Sequence, residues 1–133
     1  MNEVVIDATN ALLGRLASYA AKQALLGKNI AIVNCNRIVV SGNQRSVIEH
    51  YKILRQRGGH SLNGPLFPRL PERIVKRTIR GMLPYKQTRG LAALKRVKCY
   101  NEMPEEYREL KKIKAGKEKN IQTITLKEVS REL

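Results

Sequence analysis

The sequence predicts an α/β domain in which helices cover a mostly parallel β-sheet. Short runs of β-branched residues alternate along the chain with longer segments of helical periodicity. The run 30–33 is apolar throughout, which is typical of a strand buried on both faces of a parallel sheet. A length of 133 residues, 42% of them hydrophobic, fits one domain over 1–133. We expect a compact core at about 3–101, a basic loop and helix at 55–98 and a charged C-terminal extension at 102–133.

The first part of the chain predicts three strands and a helix. Residues 4–6 form the first strand, which a turn rich in capping residues follows. Apolar residues then recur at helical spacing over 12–26, and Gly27 supplies a C-terminal stop. The run 30–33 is the second strand, and 37–40 predicts the third.

A second helix is predicted from residue 41 to about residue 56. Ser41 and Gln44 have the spacing of a capping box, in which each side chain bonds the backbone N–H of the other residue. One stripe of the helix is apolar, and we expect it to face the core. This stripe consists of Val47, Ile48, Tyr51 and Leu54.

A long loop and the most regular helix of the sequence follow. Residues 57–71 contain three glycines and three prolines, and a loop of this length in a small domain is usually functional or disordered. Its basic ends favour function. The next helix has basic residues on one side, and Pro84 ends it. Its apolar face consists of Ile74, Val75, Thr78, Ile79, Met82 and Leu83.

The last third of the chain predicts shorter elements. We expect a helical turn at 91–94, a fourth strand at 97–100 and another helical turn at 104–107. Residues 111–120 have little apolar content and predict a mobile linker. Residues 125–133 predict a terminal amphipathic helix. This helix docks through Leu126, Val129 and Leu133.

Positive charge is concentrated in the middle of the chain. Lys and Arg number 26 against 11 Asp and Glu, which gives a formal net charge of +15. Residues 51–100 carry +12 of this charge, whereas 1–50 carry +2 and 101–133 carry +1. A solvated face stabilised by i,i+4 ion pairs needs carboxylates, and Glu72 is the only one in the middle segment. A polyanion is therefore the expected partner.

We expect the basic segment to bind nucleic acid through its phosphates. Arginine holds a phosphate through two hydrogen bonds, and lysine acts as a point charge. Positions 73, 76, 77 and 80 share one side of a helix, so their charges converge on one surface. The expected contacts are Arg55, Arg57, His60, Arg69, Arg73, Lys76, Arg77, Arg80, Lys86, Arg89, Lys95, Arg96 and Lys98.

Folded RNA is favoured over DNA and over single strands. The sequence has no helix-turn-helix, no zinc-finger ligand set and no dimerisation heptad. Modules that bind unpaired bases need exposed aromatic rings, but this chain has 5 Tyr, 1 Phe and no Trp. We therefore expect recognition of RNA shape and phosphates, without readout of bases.

Catalysis, cofactors, metals and membranes are not indicated. Neither His50 nor His60 has a recognisable catalytic partner, and the glycine motifs that bind nucleotides are absent. Cys35 and Cys99 lie in apolar runs, where cysteine is usually a small buried hydrophobe. No apolar run approaches the roughly 20 residues that span a bilayer, and the N-terminus lacks the features of a signal peptide. We expect a cytoplasmic protein with no cofactor, no metal and no small-molecule substrate.

Five motifs occur in a recognisable order. They are the segments 5–8, 13–17, 40–43, 80–84 and 88–94, with a weaker match at 126–130. Together they resemble family thirteen of the large-subunit ribosomal proteins. The start of the chain almost at its first strand, and the residues just before the signature helix, resemble the archaeal and eukaryotic branch of that family.

The resemblance implies a three-layer α/β/α domain with a four-stranded sheet. It also implies binding to large-subunit ribosomal RNA (rRNA) and contact with neighbouring ribosomal proteins on the ribosome. Arg80, Lys86 and Arg89 are then the best RNA contacts, and Gly81 and Pro84 shape the turn between them. Two alternatives stay open: a DNA-binding chromatin protein and, after it, an RNA-processing enzyme.

Overall fold

The computed structural model describes residues 3–56, 68, 70–108, 112–113 and 123–132. Strands and helices alternate in this part of the chain, as the periodicity predicts. The strands are β1 (Glu3–Asp7), β2 (Asn29–Val33), β3 (Val39–Ser41), β4 (Val97–Cys99) and β5 (Thr123–Thr125). The helices are α1 (Leu13–Leu25), α2 (Gln44–Gln56), α3 (Pro71–Gly81), α4 (Thr88–Lys95), α5 (Glu105–Arg108) and α6 (Leu126–Glu132).

The main sheet is parallel and has the strand order β1-β2-β4. In its register Val4 pairs with Ile30, and Ile32 pairs with Cys99. The central strand β2 is buried from Ile30 to Val33, which confirms the expectation from its apolar run. The α/β class and the mostly parallel sheet are therefore confirmed.

The strand expected as a further member of this sheet pairs elsewhere. β3 forms an antiparallel pair with β5, in which Val40 lies opposite Ile124. In the described part of the chain the parallel sheet thus has three strands, where four were expected. The predicted strand at 37–40 also begins later, because Cys35–Arg37 form a 3₁₀ turn that follows Asn34 in the left-handed conformation.

The cap of α2 differs from the predicted capping box. The helix begins at Gln44, and the Arg45 N–H donates to Asn43 Oδ1 at 2.9 Å. Asn43 therefore caps the helix, and the prediction of Ser41 as the cap is wrong. Both are capping residue types, and the positive φ of Gly42 moves the start of the helix beyond Ser41. The predicted stripe does face inward, with Val47 and Tyr51 buried.

Apolar side chains cover both faces of the sheet. On one face α1, α3 and the sheet enclose the main core, which includes the fully buried Ile6, Leu16, Ile32 and Ile79. On the other face Val5, Ala31 and Val33 pack with Tyr107 of α5, and Tyr100 and Met103 lie against them. This arrangement agrees with the three layers that the family resemblance implies.

The C-terminal part of the chain contributes to the core. Ile124, Leu126 and Val129 are buried in the main cluster, as predicted for two of them. The predicted helix over 125–133 begins at Leu126, because the residues before it form β5, and Leu133 lies outside the described residues.

Ile113 extends the outer edge of the parallel sheet. It lies within the segment predicted as a linker, and it pairs with β1 through main-chain hydrogen bonds of 3.0 Å to Asp7 and 2.9 Å to Val5.

The longest helices described, α1 and α2, have 13 residues each. None of the helices in the described part is long and apolar enough to cross a membrane.

Candidate nucleic-acid interface

The helix α3 separates apolar and basic side chains, as its periodicity predicts. Ile74, Val75 and Ile79 are buried and pack against the rest of the core, with α1 as the main neighbouring helix. Pro71 occupies the first turn, where a missing N–H costs nothing, and Glu72 complements the positive end of the helix dipole. The buried stripe fixes the rotation of the helix, so the basic stripe must face outward.

Four of the predicted contacts lie together on this outer stripe. They line a groove of about 310 Å³ that Pro68 and Leu94 complete: Arg73, Lys76, Arg77 and Arg80. Arg73 and Arg80 are exposed, whereas Lys76 and Arg77 are half-buried. The predicted convergence of these four charges on one surface is confirmed in the geometry of the helix.

The side chains of Lys76 and Arg80 each make a contact that orients them in the groove. The Lys76 ammonium donates to the carbonyl of Val97 at 2.9 Å, so Lys76 joins α3 to β4. The Arg80 guanidinium lies over the Tyr85 ring, 5.0 Å from its centroid. This distance is within the range of a cation–π interaction. Arg80 therefore belongs both to the groove and to the turn that follows α3.

The turn between α3 and α4 is held by its own backbone. The N–H of Leu83 donates to the carbonyl of Arg80 at 3.1 Å, and the N–H of Tyr85 donates to the carbonyl of Leu83 at 2.8 Å. Leu83 is buried, but Met82 is 43% exposed, so the prediction of Met82 in the apolar face is wrong. The helix ends at Gly81, so Met82 no longer follows its inner stripe.

The glycine that this turn requires is Gly90. A Cβ at Gly90 would overlap the carbonyl group of Pro84 and would lie 2.8 Å from the Tyr85 nitrogen. A Cβ at Gly81 would meet no described atom within 4 Å, although Gly81 was predicted to shape the turn. Pro84 does lie where α4 packs on the turn. Lys86 and Arg89, on either side of the start of α4, are both exposed.

The last three predicted contacts that the structure describes lie on a second surface. Lys95, Arg96 and Lys98 line a depression of about 290 Å³, together with Glu3 and Tyr107 among others. Lys98 pairs in register with Ala31, which belongs to the core on the opposite sheet face from α3. The thirteen predicted contacts therefore do not form one continuous surface in the described part of the chain.

Two side chains on this second surface have roles within the fold. The Arg96 guanidinium donates to the carbonyl of Ala24 at 2.9 Å, near the C-terminal end of α1. A cation there complements the negative end of the helix dipole. The Tyr107 hydroxyl donates to Glu3 Oε1 at 3.0 Å, which places a carboxylate beside the lysines.

Four predicted contacts cannot be placed on either surface. Arg57, His60 and Arg69 lie outside the described residues, as does the side chain of Arg55.

Sequence reasoning missed Tyr85 and Gly90. An aromatic residue between Arg80 and Lys86, and a glycine within a helical pattern, are the signals that point to them. A glycine inside a helix costs about 1 kcal/mol relative to alanine, so its presence at position 90 already indicates a packing requirement.

Asp7 and the two cysteines take part in the hydrogen bonding and packing of the fold. Asp7 Oδ1 accepts hydrogen bonds from the Thr9 N–H at 3.1 Å, the Thr9 hydroxyl at 2.8 Å and Asn34 Nδ2 at 3.1 Å. A hydrogen bond with Cys99, followed by burial, raises the pKa of the Cys35 thiol well above its usual range. A thiol that stays protonated is a poor nucleophile. The predicted burial of Cys35 is confirmed, whereas Cys99 is half-buried.

Comparison with known proteins finds similarity over nearly the whole chain. Residues 1–106 match the family model described as "Ribosomal protein L13". The large ribosomal subunit protein uL13 of Methanococcoides burtonii is 43% identical over 134 positions, which cover 97% of this chain and 96% of that protein. The uL13 protein of Archaeoglobus fulgidus is 47% identical, with coverages of 97% and 86%. That of Methanocaldococcus jannaschii is 44% identical, with coverages of 97% and 96%.

Proposed function

The chain belongs to the ribosomal protein L13 family of the large subunit, and on this premise we propose that it binds and organises large-subunit rRNA during assembly. Family membership confirms the resemblance predicted from the five motifs. The proposed role is structural and includes no catalytic step. The proposed partners are rRNA and neighbouring large-subunit proteins, and the proposed location is the ribosome in the cytoplasm.

The cationic groove on α3 is the observation that carries the proposal. It presents Arg73, Lys76, Arg77 and Arg80 along one rigid helix, and no carboxylate is among its described lining residues. Cations that converge on one surface are the usual electrostatic footprint of a protein that binds a phosphate backbone. Because α3 is anchored by buried side chains, the helix that presents these charges needs little reordering when RNA binds.

The start of α4 supports an anionic ligand nearby. Arg89 lies in the first turn of this helix, and that turn contains no acidic residue. The positive end of a helix dipole disfavours a cation and favours an anion. A phosphate close to Arg89 and the exposed Lys86 would relieve this repulsion. We therefore propose that the RNA extends from the groove across the start of α4.

The second basic surface supports the organising role. Lys95 and Lys98 are exposed there, and Lys98 points away from the sheet face that α3 covers. A protein with cations on two faces is able to hold two RNA segments at a fixed separation. We propose that the α3 groove is the primary contact and that the Lys95–Lys98 surface is the secondary one.

The comparisons do not support the chromatin alternative. DNA and RNA both bind cations through their phosphates, so both proposals require the same positive charge on the protein. They differ in which nucleic acid the protein prefers. Matched measurements with a large-subunit rRNA fragment and a DNA duplex of equal length distinguish them. We expect tighter binding to the rRNA fragment at two salt concentrations, whereas equal binding to every duplex would overturn the proposal.

The decisive test changes the two exposed cations of the groove, Arg73→Glu together with Arg80→Glu. A hydrogen bond to a charged group contributes about 1.5–3 kcal/mol, so the loss of two such contacts should lower the affinity for rRNA by about a hundredfold or more. Each lost phosphate contact also removes about 0.9 from the slope of log affinity against log salt concentration. Filter binding across a salt series measures both quantities.

A matched control carries the same change of charge elsewhere. Lys52→Glu with Lys127→Glu alters two exposed lysines on α2 and α6, far along the chain from the groove. We expect this pair to change affinity only by the general effect of net charge and to leave the salt slope nearly unaltered. Equal losses for the two double variants would overturn the assignment of the groove, provided that circular dichroism shows both to be folded.

A further inference from the structure

We propose that Arg80 and Tyr85 form a stacking site for one unpaired base of the bound RNA. The inference rests on the proposed function and adds a contact of a different kind, since the groove on α3 is suited to phosphates. It also revises the expectation, drawn from the scarcity of aromatic residues, that bases are not contacted.

The exposure of the Tyr85 ring is the first observation behind this proposal. Tyr85 is 39% exposed, although Tyr51 and Tyr107 of the same chain are 8% and 9% exposed. The same turn also exposes Met82 and Lys86. An exposed aromatic ring in the most basic segment of the chain is the arrangement by which proteins combine base stacking with phosphate contacts.

The position of Arg80 joins the ring to the cationic groove. Its guanidinium lies 5.0 Å from the centroid of the Tyr85 ring, and the same side chain lines the groove with Arg73 and Arg77. A planar guanidinium and an aromatic ring both stack on nucleobases. A nucleotide whose phosphate occupies the groove would therefore have its base within reach of this pair.

The turn holds the ring in place before RNA arrives. Tyr85 donates its N–H to the Leu83 carbonyl at 2.8 Å, and Gln87 donates its N–H to the Pro84 carbonyl at 3.0 Å. The buried Leu83 anchors one side of the turn, and Gly90 of α4 packs on Pro84 at the other. A preorganised ring loses little conformational freedom on stacking.

The chemistry selects an unpaired base. Bases within a duplex are stacked on each other, and the deep, narrow major groove of A-form RNA keeps side chains from their edges. A bulged or loop nucleotide offers a free π-face, and stacking tolerates any of the four bases. The expected ligand is thus a loop or bulge of folded RNA whose backbone lies along α3.

The test compares Tyr85→Leu with Tyr85→Phe in complexes with large-subunit rRNA. The phenylalanine variant keeps the ring, whereas leucine keeps only apolar bulk. Loss of base stacking on an aromatic ring commonly lowers affinity by about fivefold to a hundredfold. We expect about this loss for Tyr85→Leu, near wild-type affinity for Tyr85→Phe, and one common salt slope for the three proteins, because no charge is changed.

Chemical probing of the RNA gives an independent readout. We expect at least one unpaired nucleotide to lose 2′-hydroxyl acylation in complexes with wild-type protein and Tyr85→Phe, and to regain it with Tyr85→Leu. Unchanged affinity and reactivity for Tyr85→Leu would overturn the stacking site. The proposed function would still stand if Arg73→Glu with Arg80→Glu weakened rRNA binding while Tyr85→Leu did not. Failure of the stacking site and failure of the proposed function are therefore distinguishable.

A protein occupant of the Tyr85 surface would give a different pattern. Tyr85→Leu would then bind isolated rRNA like the wild type but would join assembling particles less well, as sedimentation with large subunits measures. That outcome also overturns the stacking proposal. Because Tyr85 is exposed, we expect each variant to unfold at nearly the wild-type temperature, as circular dichroism on heating measures.

Discussion

The two basic surfaces of the molecule differ although they come from one basic segment. On α3, Arg73 and Arg80 extend from a helix whose other stripe is buried, and no carboxylate is among the described residues that line their groove. Around β4, Lys95 and Lys98 share a depression with the carboxylate of Glu3. Each surface also contains a cation that bonds a main-chain carbonyl, Lys76 in the first and Arg96 in the second.

The difference shows that charge density along a sequence does not by itself identify a binding surface. A cation is available to a ligand only when the fold does not use it or neutralise it. Arg96 completes the end of α1, and Glu3 reduces the potential around Lys98. No carboxylate is among the described residues that line the α3 groove, so we expect this groove to dominate RNA binding.

The largest expected effect on stability concerns the turn between α3 and α4. Gly90→Ala would place a methyl group on the backbone of Pro84 and Tyr85, which cannot move without displacing α4 or the turn. We expect the free energy of unfolding to fall by about 3 kcal/mol, at the upper end for overpacking. Urea denaturation followed by circular dichroism measures this change.

Gly81→Ala is the matched control for that prediction. Position 81 lies in the last turn of α3, and a methyl group there meets open space among the described residues. Alanine is favoured over glycine in a helix by about 1 kcal/mol, so we expect a small gain in stability. Similar losses at positions 81 and 90 would show that the turn does not depend on close packing at Gly90.

Much of the fold could be predicted because its signals are local. The apolar run of β2, the alanine-rich periodicity of α1 and the two faces of α3 each specify an element within a short stretch of sequence. The convergence of Arg73, Lys76, Arg77 and Arg80 follows from helical geometry alone. These predictions hold because the buried face of each element agrees with its local pattern.

The features that the sequence did not predict depend on distant parts of the chain or on how a turn folds. β3 and β5 have three residues each and are separated by more than half of the sequence, so neither carries a strong signal of its partner. The separation of Lys98 from the α3 groove depends on which face of the sheet each residue of β4 occupies. The Arg80–Tyr85 contact depends on how the turn folds back, which the composition does not reveal.

The next effect in size distinguishes Arg96 from its neighbours on the second surface. Arg96→Ala removes the hydrogen bond to the Ala24 carbonyl and a charge at the end of α1. We expect the free energy of unfolding to fall by about 1–2 kcal/mol. Lys98→Ala, at an exposed position two residues away, should change it by less than about 0.5 kcal/mol. If the two variants unfold at the same urea concentration, the guanidinium does not stabilise α1.

The smallest effect tests the second surface as an RNA contact. Lys95→Glu with Lys98→Glu removes two exposed cations that lie near Glu3, where each contributes at most about 1 kcal/mol to an ionic contact. We expect rRNA affinity to fall by about thirtyfold or less, compared with about a hundredfold or more for Arg73→Glu with Arg80→Glu. Both pairs change the net charge equally, so filter binding in one salt series compares the surfaces directly. A loss as large as that of the α3 pair would mean that the carboxylate of Glu3 does not weaken this surface and that the two faces bind RNA equally.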